Sequence, residues 1–204
     1  MPASSDDFAF DAAHPFRPLG ETLLYQGYVI GLYTTKWTNE AGEEFERDVV
    51  RHRGAVAIVP IVDDGDAVLL VRQFRVATNC FLLELPAGLC DIDGEPAVDT
   101  AHRELGEEVG HVAAKMELLS SMKTAVGFAD ETIHIFIATD LTETETAYEG
   151  IEEQIMTTVK VRFDELDEMI TSGELVDAKT ISGMLMARVH LAAGKATSPA
   201  TPAG

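Results

Sequence analysis

The chain has 204 residues, 35 acidic against 15 basic, a formal net charge of -20 and 46% hydrophobic residues, enough apolar content for a real core in one large domain or two small ones. That acidity argues against nucleic-acid or anionic-membrane partners, since binding to either scales with clustered Lys and Arg. No apolar run approaches the ~20 residues of a spanning helix, and Met1 to Phe10 carries Asp6 and Asp7 in place of a basic, apolar leader, so the expected location is cytoplasmic. Cys80 and Cys90 have no CxxC spacing and read as two reduced thiols. An anionic substrate would need a cation or an arginine pocket to sit on so acidic a protein.

In chain order, residues 1–16 and the Ala-, Thr- and Pro-rich residues 194–204 read as disordered ends. Tyr28 to Thr35 and Phe45 to Arg51 are β-rich segments around the turn-forming Asn39-Glu40-Ala41-Gly42, which predicts a hairpin within an N-terminal region, 17–53. A second hairpin is predicted from Ala55 to Val62 and Ala67 to Arg72 across Asp63-Asp64-Gly65-Asp66. The period then changes: Pro96 suits a first helical position and Gly110 a C-terminal stop, giving a helix from Pro96 to Val109. Leu118 to Met122, Thr132 to Thr139 and Thr158 to Phe163 return to strand character. Two helices follow, about Asp164 to Thr171 and Ala178 to Ala193, the latter with Ile181, Met184, Leu185, Val189 and Ala192 on its apolar face. The order predicts a mixed α/β domain over 54–193, with helices on both faces of a sheet.

On the first helix Val98, Ala101, Leu105 and Val109 form the core stripe, and Glu104, Glu107 and Glu108 fall within one ~100° arc about a quarter turn away. Three carboxylates at this spacing repel one another, and a divalent cation reverses that sign. Hard oxygen donors suit Mg²⁺ or Mn²⁺. An acidic, solvated helix face is the alternative.

The surrounding residues are more specific. Gly88-Leu-Cys-Asp-Ile-Asp-Gly-Glu95, then seven residues, then Arg103-Glu104-Leu105-Gly106-Glu107-Glu108-Val109-Gly110 resembles the Nudix box of nucleoside-diphosphate-X hydrolases. The Arg103–Gly110 core fixes six positions, which average residue usage produces by chance roughly once in a million starts. There are two departures: six residues, not five, separate Gly88 from Glu95, and His111 replaces the closing apolar residue. Arg47-Asp48-Val49-Val50, Gln73-Phe74-Arg75, Glu84-Leu85-Pro86-Ala87-Gly88, Gly127-Phe128 with Glu131, and the segment from Gly173-Glu174 to Ser182 resemble the ADP-ribose pyrophosphatase branch. Val126 stands where that branch commonly has proline.

The resemblance implies an αβα Nudix sandwich with a mixed sheet and an N-terminal β-hairpin dimerisation region, hence a homodimer. It also implies hydrolysis of the diphosphate bond of ADP-ribose, to AMP and ribose 5-phosphate, or of a related nucleoside diphosphate sugar. Glu104, Glu107 and Glu108 with the Ala87 carbonyl would hold two or three Mg²⁺ ions, Mn²⁺ being the alternative. Arg103 would orient the glutamates, with Asp99 as its anchor. Arg47 and Arg75 match substrate-binding positions, as do Gly127 and Phe128. Trp37 and Tyr28 lie in the first hairpin, where adenine could stack or the aromatics could simply pack. The general base is expected on the loop Thr142 to Ile155, at Glu152, then Glu153, with Glu107 as the fallback. Two competing readings are a non-catalytic Nudix module sensing ADP-ribose or a related nucleotide, which could lose box acids, and a Nudix-fold isomerase, which would need a reactive cysteine. All the box acids are retained, and Cys90 has no His beside it.

Overall fold

The computed structural model describes residues 14–146 and 153–197. The described residues begin with three antiparallel strands, β1 (Phe16–Gln26), β2 (Ile30–Asn39) and β3 (Glu44–His52), in the order β1-β2-β3. The β2–β3 turn closes because Asn39 Oδ1 accepts the Glu43 N–H at 2.9 Å. The sequence predicts only the β2–β3 hairpin. β1 escapes the pattern because Pro18 and Gly20 interrupt it, and both are tolerated because β1 is an edge strand whose register slips between them.

The second sheet is built from β4 (Ala55–Val62), β5 (Ala67–Arg75), β6 (Cys80–Glu84), β7 (Ala87–Leu89), β8 (His111–Lys123), β9 (Thr132–Glu143) and β10 (Thr157–Arg162). Its main order is β10-β5-β4-β9-β8, with β6 on β5 and β7 on β4. β4 and β9 run parallel and the other pairs antiparallel, so the sheet is mixed.

β4 explains the layering. Its run Ala-Val-Ala-Ile-Val-Pro-Ile is buried throughout, so both faces must be covered. Ala55, Ala57, Val59 and Ile61 pack in one cluster with Leu166, Met169, Met184 and Ala187, from α2 (Leu166–Ser172) and α3 (Ala178–Thr197). Val56 and Ile58 point the other way, into a cluster with Ala101, Leu105 and Val109 of α1 (Ala97–Val109). The result is the expected αβα sandwich. No described helix is long and apolar enough to cross a membrane.

Three details differ from expectation. Pro96 is the N-cap of α1 and not its first residue, with extended backbone. α3 runs to Thr197, past the expected disordered boundary at 194. Its buried stripe is Thr180, Met184 and Ala187, whereas Val189 and Ala192 are exposed, because the helix turns its Ala- and Gly-containing side to the sheet.

The two sheets are stitched together at one seam. Val50 N–H donates to Phe128 O at 2.7 Å, Asp130 N–H to Val50 O at 3.2 Å, and His52 N–H to Asp130 Oδ1 at 2.9 Å. The loop between β8 and β9 thereby becomes a fixed wall against β3.

Candidate active site

α1 is held at its C-terminal end and along the flank that faces β7. Its C-terminus closes on Gly110, whose left-handed φ of 66° lets its N–H reach back to Gly106 O. A β-carbon there would lie 2.8 Å from Thr144 O, and Thr144 N–H donates to Gly110 O at 2.7 Å, so the start of the loop after β9 docks on the end of the box helix. On the other side, Glu108 Oε2 accepts the Ala87 N–H at 2.9 Å, tying β7 to the helix. Gly88 is needed for that approach, since a β-carbon would stand 1.9 Å from Glu104 Oε1.

Glu104 and Glu108 are only 9% and 4% exposed. Arg103 Nη1 donates to Glu104 at 2.7 Å and Glu107 at 2.9 Å, and its Nη2 lies 3.6 Å from Glu95. Burial opposes the Arg103 charge, and the carboxylates of Glu104 and Glu107 more than offset it, so the guanidinium is held above its usual range. Its partner beyond the helix is Glu95 and not Asp99, which is exposed. Glu95 sits in the entry turn, where Thr100 Oγ1 donates to it at 2.8 Å.

One guanidinium among Glu95, Glu104, Glu107 and Glu108 leaves negative charge in excess on a half-buried surface. Those donors have the chemistry of a hard divalent cation site. In this arrangement the carboxylates are turned to Arg103 and to the Ala87 amide, and no three ligating groups converge among the described residues.

Two cavities flank the seam. One of about 490 Å³ is lined by Ala87, Gly88, Arg75, Glu84, His52, Glu131 and Lys179, among others, and so abuts the box carboxylates across β7. The other, about 700 Å³, gathers Phe16, Trp37, Phe45, Arg47, Gly127 and Phe128 with Val126. Thr124 and Glu131 line the first and residues 126–130 the second, so the β8–β9 loop bounds both.

The expected substrate residues therefore divide. Arg47, Trp37, Gly127 and Phe128 meet in the larger cavity, where Arg47 stacks over Phe45 at 5.1 Å and Trp37 Nε1 donates to Thr35 Oγ1 at 3.1 Å. Arg75 and Ala87 line the smaller one. Tyr28, 96% exposed in the β1–β2 turn, is not among the residues lining either. Glu152 lies outside the described residues, and Glu153 begins a single 3₁₀ turn before β10. Arg51 also borders the larger cavity but is paired with Glu21 and Asp130, while Arg53 is committed to Asp91 O and Arg72 to the face of Phe81.

The sequence assigns no role to Glu84, which is 1% exposed yet held by two cations. Arg75 Nε and Nη2 donate to its two oxygens at 2.7 Å each, and Lys179 Nζ donates to Oε2 as well. A lone acid in the apolar run Phe81-Leu82-Leu83-Glu84-Leu85 is the signal that could have found it, because a buried carboxylate requires cations.

The model of the NUDIX domain matches residues 51–182. An ADP-ribose pyrophosphatase of Bacillus subtilis (strain 168) is 34% identical over 164 residues, covering 80% of this chain and 88% of that protein. An ADP-ribose pyrophosphatase of Mycobacterium tuberculosis (strain ATCC 25618 / H37Rv) is 37% identical over 174 residues, covering 85% and 84%. A solved structure described as an ADP compounds hydrolase superposes with a TM-score of 0.75 at 25% identity, over 90% of this chain and 98% of that one. With the box helix, the αβα layers and these likenesses in agreement, the chain belongs to the Nudix domain family and is a pyrophosphatase-type hydrolase.

Proposed function

We propose that the protein hydrolyses the diphosphate bond of ADP-ribose, or of a closely related nucleoside diphosphate sugar, in a Mg²⁺-dependent reaction that releases AMP and ribose 5-phosphate. The observation that carries this reading is the adjacency of two cavities: an aromatic, arginine-bearing one sized for a nucleoside, and one bearing Arg75, Glu84 and Lys179 beside Ala87 and Gly88, the strand against which the box helix packs. The curated relatives named as ADP-ribose pyrophosphatases support the choice of substrate.

In this reading the adenine enters the larger cavity, against Trp37 and Phe128, with Arg47 directed to a phosphate. Gly127 leaves the loop backbone open to the nucleotide. Arg75 grips the diphosphate from the smaller cavity, where a guanidinium fork matches a pair of phosphate oxygens. Glu104, Glu107 and Glu108 with the Ala87 carbonyl would hold divalent ions, Mg²⁺ or Mn²⁺, two or three per site. Such ions supply neutralisation of the diphosphate and a lowered pKa for bound water. Arg103 keeps Glu104 and Glu107 from repelling each other while the site is being filled. Glu152, or Glu153 next to it, accepts the water's proton from the loop after β9, whose first residues are docked on Gly110 beside Glu107 and Glu108.

The reading includes a homodimer. β1 is an edge strand that exposes Phe16, Leu19, Leu23, Leu24 and Tyr25, and a second copy covering it would protect both its apolar side chains and its unpaired edge. Tyr28, in the turn beside them, then has a neighbour to stack on.

The test is a panel of ADP-ribose, ADP-sugars, UDP-sugars, NADH and diadenosine polyphosphates with Mg²⁺, the products resolved. ADP-ribose giving the highest kcat/KM supports the reading. A UDP-sugar preferred over every adenine compound would remove it.

A further inference from the structure

Arg75 is held from behind. Its guanidinium has two edges that can each offer a pair of parallel N–H donors, and one of them, Nε with Nη2, is fully engaged by the two oxygens of Glu84. That leaves the edge formed by Nη1 and the second hydrogen of Nη2, on a side chain that is part-exposed at the cavity bordering Ala87 and Gly88. Glu84 is anchored in turn. Lys179 Nζ donates to its Oε2 and, at 3.0 Å, to Asp177 Oδ2. Asp177 caps α3 by accepting the Thr180 N–H at 3.0 Å and hydroxyl at 2.6 Å, and Thr180 Oγ1 accepts the Leu85 N–H at 2.8 Å. The N-terminus of α3 and the end of β6 are thus locked in one register, with Lys179 fixed over Glu84.

We propose that Lys179 is a positioning residue for substrate: by holding the Glu84 carboxylate it aims the open edge of Arg75 at the diphosphate. This rests on the reading of Arg75 as a diphosphate-binding residue. Lys179 takes hold of Oε2 without occupying the open edge of the guanidinium. The burial of Glu84 makes this arrangement rigid, because neither oxygen can leave its cations for water.

The role predicts an effect on binding and not on chemistry. With ADP-ribose and Mg²⁺, Lys179→Met is expected to raise KM about tenfold, as for loss of one charge-assisted contact, while kcat stays within about threefold. Inhibition by ADP should weaken in parallel, and inhibition by adenosine, which has no phosphate, should not change. Lys179→Arg should restore most of the KM, and Lys179→Met should add little to Arg75→Ala in a double-mutant cycle. If Lys179→Met does not fold, Lys179→Gln against Lys179→Arg carries the same comparison. Arg75→Ala raising KM while no Lys179 variant does would overturn this role and leave Arg75's intact. An unchanged KM in Arg75→Ala would overturn both. Equal weakening of ADP and adenosine would mark Lys179 as merely structural and overturn the proposal.

Discussion

Gly88 and Glu104 are so close that no β-carbon fits between them: it would lie 1.9 Å from Oε1 and 2.0 Å from Cδ of the glutamate. The obstructing atoms are the far end of a flexible side chain, so Gly88→Ala can fold, but only by swinging the Glu104 carboxylate away from β7. The expected outcome is a modest fall in Tm with kcat/KM down on the order of a hundredfold, since under the proposed function Glu104 is a metal ligand, and a ligand displaced by an ångström loses its geometry. Wild-type activity in a folded Gly88→Ala protein would mean that Glu104 has no part in the site.

Glu84 predicts an acid-dependent stability. Burial pushes its carboxyl up, but the hydrogen bond from Arg75 and the charge of Lys179 outweigh this and hold it below its ordinary value of 4.5. A carboxyl lowered by folding stabilises the native state above its unfolded value and loses that contribution as pH falls through the folded one. The Tm advantage of wild type over Glu84→Gln should therefore be flat at neutral pH and shrink as pH drops below about 4.5. A difference that does not vary with pH would show that folding leaves the Glu84 carboxyl unshifted, and one that grows as pH falls would show that it folds protonated.

How much of this was readable beforehand varies with the range of the interaction. The box helix was legible because its periodicity, its Pro96 entry and its Gly110 stop are all local. β4 was legible because a run buried on both faces needs no partner to be recognised. β1 was not, since Pro18 and Gly20 mask a strand that exists by pairing with β2. β6 and β7 are too short to show a pattern around Leu85-Pro86. Within the site, the carboxylates of one helix could be aligned by counting, but the partner of Arg103 could not: Asp99 is the right distance along the helix, and the turn brings Glu95 there instead. The Arg75–Glu84–Lys179 network joins residues up to 104 positions apart in sequence, which spacing does not encode.

The loop after β9 supplies the prediction about the base. Glu152→Gln should lower kcat by roughly two to four orders of magnitude, the usual range for a positioned acid or base, with metal affinity and KM little changed. Should Glu152→Gln remain active and Glu153→Gln not, the base is Glu153. If both remain active, Glu107 on the box helix becomes the base.

Sedimentation at assay concentrations tests the assembly. A homodimer is expected, and Leu23→Glu or Leu24→Glu on the exposed edge strand should shift it toward monomer by setting a charge against the apolar contact. A fully active monomer of the wild-type chain would contradict it.

Metal-dependent cleavage within a diphosphate is read directly by ³¹P NMR of ADP-ribose incubated with the protein and Mg²⁺. The diphosphate resonances should be replaced by those of two phosphomonoesters, AMP and ribose 5-phosphate, and excess EDTA should stop the change. A diphosphate left intact with Mg²⁺ present, or hydrolysis undiminished in EDTA, would contradict it.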